Sequence, residues 1–436
     1  MKQNKILQKS GWLIVIILSF MPLALWLFEL PLQYRFSNSS LLFRSVGDVA
    51  GLCGMAMFSL VLILSARLKF FEKFFKGINE SYTAHHFFGG LAFCLLLFHP
   101  LFLAYNYFRV SFMSAALFFL PGPSLGQNFG IIGLVVMIIT LVITFYMKIR
   151  YQIWKFTHKF LGLAFVFALL HTFLIGGDIA NNQPLKIYLL GLGILAIVAY
   201  FYRAIFSSFA VKFFDYTIKN IKSLQDKTCE IELQAVDKEI KFTSGQFGFV
   251  KFFNKELTME AHPFSFSSAP GQPLKIAIKE LGDYTNKISS LKAGDRAKIE
   301  GPFGSFNFRN YKRKKQVWIA GGIGITPFLS MMRDLTNADD DYQIDLYYSA
   351  RNANCLVFRG EISEISTRHK NLNVILWASD ERGFLNANLI KIDTSDVDER
   401  DILICGPSPM MSALKEQFLS QGLKRSQIHS EEFQLY

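Results

Sequence analysis

The 436-residue sequence predicts a membrane α-helical bundle of six transmembrane helices, then an antiparallel β-barrel, then an α/β domain built on a parallel sheet. Three observations carry this. Hydrophobic residues make up 51% of the chain and the mean hydropathy is +0.27, too apolar for a purely soluble protein. Near residue 208 the long apolar runs give way to short strand-like runs separated by turn residues. Beyond residue 315, strand-like runs alternate with helical stretches, the pattern of a parallel sheet flanked by helices. The expected domains are 1–207, 208–308 and 309–436.

The first apolar run, residues 11–30, follows a basic start with Lys2, Lys5 and Lys9. A signal peptide also begins this way, but this run is too long and lacks a small-residue cleavage site, so it reads as a retained helix. Further spans are expected near 47–66, 85–106, 129–149, 156–175 and 185–203. The net charge of +12 is uneven. Residues 1–203 carry 16 Lys and Arg against 5 Asp and Glu, and residues 204–436 carry 30 against 29. The basic excess thus sits in the membrane half, where it sets orientation, and it argues against nucleic acid as a partner. One set of loops holds the N-terminus, Arg67, Lys69, Lys73, Lys76, Lys148, Arg150, Lys155 and Arg203; the opposite set holds Arg35, Arg44, Arg109 and Lys186. The first set is expected to be cytoplasmic, with both termini inside a bacterial inner membrane. The five cysteines form no C-x-x-C pair and no zinc spacing.

Histidine within a membrane-length apolar run is a functional hypothesis by default. Here it occurs in two matched pairs, His85 with His99 and His158 with His171, and each pair opens with H-x-x-[FL]-G. Imidazole is a common axial ligand of haem iron, so four such residues point to two b-type haems stacked across the bilayer. The 14 residues from His85 to His99 rise about 21 Å and return to within about 40° of one helix face, which favours His85 over His86. The 13 residues from His158 to His171 splay a straight helix by about 140°, so a bend or bulge is expected between them. Pro100 is expected to kink the helix beside His99.

Four motifs mark the soluble half. In His262-Pro263-Phe264-Ser265-Phe266-Ser267-Ser268, an aromatic ring and a nearby hydroxyl suit a flavin. Lys279-Glu280-Leu281-Gly282-Asp283-Tyr284-Thr285 offers a Lys, a Gly turn and a Thr for a pyrophosphate. Gly321-Gly322-Ile323-Gly324-Ile325-Thr326-Pro327 follows a strand, where glycines let the backbone approach phosphate and a helix N-terminus favours negative charge. It is not the G-x-G-x-x-G dehydrogenase fingerprint. Cys405-Gly406-Pro407-Ser408-Pro409-Met410 also lies at a strand end, where open α/β sheets bind ligands. A strand with an exposed turn explains the first motif taken alone, and a β-turn the second. Asp339-Asp340-Asp341 reads as a solvated turn, and no D-x-[DN]-x-[DN]-G calcium loop occurs.

In this order, HPFSFSS, GGIGITP, CGPSPM and the terminal Glu431-Glu432-Phe433 resemble the ferredoxin reductase-type flavin and NAD(P)H module. Behind six spans with paired histidines, the chain from about residue 47 resembles the NADPH oxidase / ferric reductase superfamily. The resemblance implies FAD, two b-type haems and NADPH or NADH. It implies that His262, Pro263, Phe264 and Ser265 hold the flavin ring and that Lys279, Gly282 and Thr285 hold its pyrophosphate. Gly322, Gly324 and Thr326 would cradle the nicotinamide dinucleotide, with Cys405, Gly406 and Pro407 near the nicotinamide. Phe433 would cover the flavin face, or Tyr436 would, since three residues follow Phe433. Arg351, after a strand, stands where a guanidinium could meet a 2′-phosphate or remain a surface arginine.

The expected activity takes electrons from cytoplasmic NAD(P)H to an acceptor outside, either oxygen giving superoxide or a ferric chelate. No protein partner is required by the sequence. A relay subunit serving a periplasmic partner would need no nicotinamide site, and a proton-relaying transporter would need no soluble half; residues 208–436 argue against both.

Overall fold

A computed structural model describes residues 10–75, 77–147, 149, 151–206, 211–336, 339 and 341–432. The chain divides into two compact units, with the boundary between Val211 and Lys212.

Among the described residues of the first unit, six helices are long and apolar enough to cross a membrane. They are α1 (Ser10–Leu27), α2 (Ser39–Leu64), α3 (Ile78–Phe108), α4 (Leu125–Tyr146), a fifth made of α5 (Tyr151–His158) and α6 (Phe160–Leu174), and α7 (Gln183–Tyr200). Three of their starts are written in the sequence as caps. The side chains of Asn38, Ser124 and Asn182 accept from the backbone N–H groups of Leu41, Gln127 and Leu185, each satisfying one orphan donor of a helix first turn. Helix α2 is the centre of the bundle: 72% of its apolar window is buried, and it packs against α1, α3, α6 and α7.

Two features differ in detail from the sequence expectation. Helix α3 begins at Ile78, so His85 lies two turns inside it rather than at its start, and the helix continues through Pro100 to Phe108. The fifth span breaks at Lys159. There Lys159 N–H donates to Phe156 O at 3.2 Å and Gly162 N–H to Lys159 O at 3.0 Å, tight i−3 bonds in place of i−4. Helix α7 holds the break: the Tyr200 ring lies where a Gly162 Cβ would stand, and its hydroxyl donates to Lys159 O at 3.0 Å. The break supplies the bend that the 13-residue histidine spacing demands.

One ionic clasp ties the chain after α1 to the chain after α6. Buried Arg35 pairs with Asp178 at 2.9 Å and lies 3.6 Å over the Trp26 ring, while Trp26 Nε1 donates to Asp178 at 2.5 Å. Such a buried cation holds because charge, ring face and carboxylate all meet it.

The second unit holds two sheets. The first is antiparallel: β1 (Phe214–Leu224), β2 (Thr228–Ala235), β3 (Phe247–Phe253), β4 (His262–Ser265), β5 (Leu274–Lys279) and β6 (Arg296–Phe303), in the order β4-β3-β6-β1-β2-β5. Its edges meet through one bridge, Phe266 with Ile276, so the sheet curls toward a barrel around Phe252, Phe266, Ile276 and Ile299.

The second sheet is parallel, in the order β11-β10-β7-β8-β9. Its strands are β7 (Lys315–Gly321), β8 (Gln343–Ala350), β9 (Leu372–Ala378), β10 (Asp401–Cys405) and β11 (Ile428–Glu431). Helices α8 (Thr326–Arg333), α9 (Arg359–Arg368), α10 (Ala387–Asp393) and α11 (Ser408–Ser420) flank it. Both faces of β7 and β10 are covered, which is why VWIA and ILIC are continuous apolar runs. Strand β11 escapes sequence reading because IHSE is short and mixed in polarity. The expected solvated turn at 339–341 is corrected at Asp339: it is 5% exposed and pairs with Arg309 at 2.6 Å. An acidic residue in a turn reads as solvated until its cation, thirty residues away, is known.

Candidate functional site

In the membrane unit, helix packing brings the outer pair of predicted histidines together. His99 on α3 and His171 on α6 face one another with ring centroids 6.2 Å apart and planes crossed at 69°. His99 Nδ1 lies 2.7 Å from Gly47 O, and His171 Nδ1 lies 2.8 Å from Gly126 O. A carbonyl can only accept, so each Nδ1 carries the proton and each Nε2 keeps its lone pair, the form that binds a metal. Metal–imidazole bonds of about 2.0–2.1 Å on both faces of one iron set facing ring centroids roughly 6 Å apart, and the outer pair fits that requirement.

The inner pair is built differently. His85 Nδ1 lies 2.9 Å from Val61 O and so has the same tautomer. His158, the last residue of α5, stacks on Trp154 at 5.2 Å, and its buried Nδ1 has no hydrogen-bond partner among the described residues. His86 lies beside His85, with ring centroids 5.6 Å apart. His86 is exposed whereas His85 is half-buried. The carbonyls of Gly47, Val61 and Gly126 were not anticipated from the sequence; only their spacing, Gly47 to Val61 matching the 14 residues of His85 to His99, hinted at them.

In the soluble unit the switch point of the parallel sheet lies between β7 and β10, where chain connections diverge to opposite sides and leave a crevice. The loops after these strands press together. A Cβ on Gly321 would stand 2.8 Å from both Pro407 Cδ and Met410 Sδ, and one on Gly406 would stand 3.0 Å from Gly321 Cα. Gly324 is likewise filled, against Cys405 and Gly406. Gly322 alone of this loop is open, at φ +53° with no atom within 4 Å of a built Cβ. Gly322 is therefore free for close approach of a ligand, while Gly321, Gly324 and Gly406 are required for packing. Thr326 is buried and donates to Ile323 O at 2.7 Å.

Cys405 ends β10 and is buried. Burial, with Glu431 and Glu432 nearby, pushes its thiol well above the usual range, so it stays protonated. Glu431, read only as part of a terminal motif, is buried beside Gly304, the residue after β6. Its signal was an acidic residue two positions before an aromatic one. Phe433 and Tyr436 lie outside the described residues.

The expected flavin residues sit on β4 and the loop after β5. His262 stacks on Tyr284 at 3.8 Å, and its Nε2 lies 3.2 Å from Glu260. Burial pushes the Tyr284 phenol up to about 12, so it remains neutral. Pro263 and Phe264 are half-buried and Ser265 is buried. Thr285 Oγ1 accepts from the N–H groups of Leu281 and Gly282 at 2.9 and 3.0 Å, which shapes the loop, and Gly282 borders open space. Lys279 is ion-paired with Asp226 in the β1–β2 turn. Arg351, 81% exposed after β8, faces Asp380 at 3.4 Å, a pair so exposed that the guanidinium can exchange partners at little cost.

Three family models match the chain. Residues 50–169 match a ferric reductase like transmembrane component, 213–324 an FAD-binding domain and 318–416 an oxidoreductase NAD-binding domain. A glycine betaine monooxygenase reductase subunit of Pseudomonas aeruginosa is 30% identical over 202 residues, 42% of this chain and 55% of that protein. A flavohemoprotein of Bordetella pertussis is 28% identical over 213 residues, 44% of this chain and 53% of that protein. The chain thus spans about half the length of the curated relatives it matches. Among solved structures, a cytochrome P450 reductase of Amycolatopsis is similar at 21% identity and TM-score 0.45, over 51% of this chain and 70% of that one. The FAD/NAD-binding domain of a Vibrio cholerae nitric oxide dioxygenase is similar at 20% identity and TM-score 0.45, over 50% and 97%.

Proposed function

We propose that this chain, which has the domain architecture of the NADPH oxidase / ferric reductase superfamily, carries electrons from NAD(P)H across a membrane to an acceptor on the far side. The observation that carries the reading is the outer pair, His99 and His171, facing at 6.2 Å with both Nδ1 atoms tied to backbone carbonyls. Bound flavin would supply the conversion of a two-electron hydride into single electrons, and haem iron would supply one-electron carriage through the apolar bundle.

The chain's own residues do the rest. His99 and His171 would hold an outer haem, His85 and His158 an inner one. Gly322 admits the dinucleotide backbone, and the Gly282–Thr285 loop offers a pyrophosphate cradle. Buried Cys405 keeps a neutral thiol at the strand end where nicotinamide would lie. The Lys and Arg distribution supports a cytoplasmic soluble half in a bacterial inner membrane.

Haem held by two histidines would offer the acceptor no ligand position, so the acceptor would need no binding geometry at the metal. Oxygen, giving superoxide, and a ferric chelate both meet that condition. Arg44, 3.7 Å from Asp48, and the exposed Arg109 lie on the expected outer side and suit an anionic acceptor. The test is cytochrome c reduction by purified protein in detergent, with and without superoxide dismutase, beside ferric-chelate reduction under nitrogen. The oxidase reading expects dismutase to abolish most of the signal. Reduction that dismutase leaves unchanged, with fast anaerobic ferric reduction, would establish the ferric reductase reading instead.

A further inference from the structure

The faces that α2 and α4 turn toward the histidine helices repeat one pattern, G-x-x-x-G-x-x-G: Gly47, Gly51 and Gly54 on α2, Gly126, Gly130 and Gly133 on α4. The first glycine of each set supplies the carbonyl that receives a histidine Nδ1 proton. The second lies directly under the ring. A Cβ on Gly51 would stand 2.6, 2.9 and 3.1 Å from Nδ1, Cε1 and Cγ of His99; one on Gly130 would stand 2.6, 2.9 and 3.0 Å from the same atoms of His171. Two constraints therefore fix each ring. The hydrogen bond sets where Nδ1 points, and the bare glycine sets how close the ring edge lies to the helix.

The inner histidines lack this arrangement. Four residues beyond Val61 stands Ser65, and among the described residues the His158 Nδ1 has no partner to anchor it. The glycines that follow the inner histidines serve other neighbours: Gly162 receives the Tyr200 ring, and a Cβ on Gly89 would meet only Val61, at 3.7 Å.

We infer that Gly51 and Gly130 are positioning residues for the outer histidines, holding the two imidazole planes crossed at the 69° the structure shows. The inference rests on the haem reading above and deepens it. Its consequence is spectroscopic. Parallel imidazole planes both act on the same iron d orbital and split it from its partner. Crossed planes act on both orbitals alike, keep them nearly degenerate and give a strongly anisotropic low-spin ferric signal. An added methyl at either glycine must displace a ring edge by several tenths of an ångström, and with it the plane angle or the ligand itself.

The experiment is electron paramagnetic resonance and haem-to-flavin stoichiometry on oxidised full-length protein in detergent. Gly51→Ala and Gly130→Ala are compared with Gly90→Ala and Gly191→Ala, whose Cβ atoms meet nothing within 4 Å. The outer signal is identified as the one missing in His99→Ala. Gly51→Ala and Gly130→Ala should each shift the outer signal toward lower anisotropy, or lower the ratio from about two haems per flavin to about one, with the inner signal intact. The controls should match the parent protein. Unchanged outer signals in both variants would overturn the inference, and so would loss of both haems, because a ring-positioning role is confined to the outer pair. Parent protein lacking two haems would instead sink the haem reading itself.

Discussion

Replacing His99 or His171 by Ala should remove one haem and leave flavin reduction by NAD(P)H intact; haem extraction and anaerobic flavin bleaching check this. His86→Ala should retain both haems, because His86 is exposed while His85 is tied to Val61 O. Loss of the inner haem from His86→Ala rather than His85→Ala would reverse that assignment. At the nucleotide end, Arg351→Ala should reduce a preference for NADPH over NADH, read as the ratio of kcat/KM values. Equal efficiency with both nucleotides in the unmodified protein would contradict it. The four histidines could be read from sequence because charge-bearing side chains stand out in an apolar run. Gly51 and Gly130 could not, because glycine is common in membrane helices and its meaning depends on which ring a neighbouring helix lays against it. Lys279 shows the converse: a motif lysine whose partner, Asp226, lies in a turn more than fifty residues earlier.

At the scale of elements, the segment 309–315 reads from sequence as a basic linker, yet four of its cations are committed. Arg309 meets Asp334 and Asp339, Arg313 meets Asp401, Lys314 meets Asp341 and Lys315 meets Asp396. Arg333 on α8 joins the two sheets, bonding Glu230 on β2 at 2.8 Å and Glu361 on α9 at 2.7 Å. Removing one partner of such a buried pair costs about 3–5 kcal/mol, so Arg333→Ala should release flavin at a clearly lower temperature on heating. An unchanged release temperature would contradict the latch.

The same ion pairs set an acid limit. Burial pushes Glu230, Asp339, Asp396 and Asp401 upward, but facing cations outweigh it and all four titrate below their ordinary range. A depressed folded pKa gives stability that is present above the unfolded value, about 4, and is lost as the pH falls through the folded values. Flavin release temperature should therefore hold near neutrality and fall steeply below about pH 4. A profile flat down to pH 3 would contradict this. The broken fifth span was legible as a need for a bend; its place at Lys159, set by Tyr200 of α7, was not.

For the whole molecule, the six apolar helices, the antiparallel sheet and the parallel sheet were legible because hydropathy and strand–helix alternation persist over long stretches. The central claim is that electrons cross the bilayer. It is tested most directly by proteoliposomes holding ferricyanide inside, with impermeant NADPH added outside to molecules whose soluble half faces outward. The account predicts loss of the trapped ferricyanide absorbance on NADPH addition, abolished in both His99→Ala and His171→Ala. Reduction of an external acceptor while the trapped ferricyanide stays oxidised would contradict it.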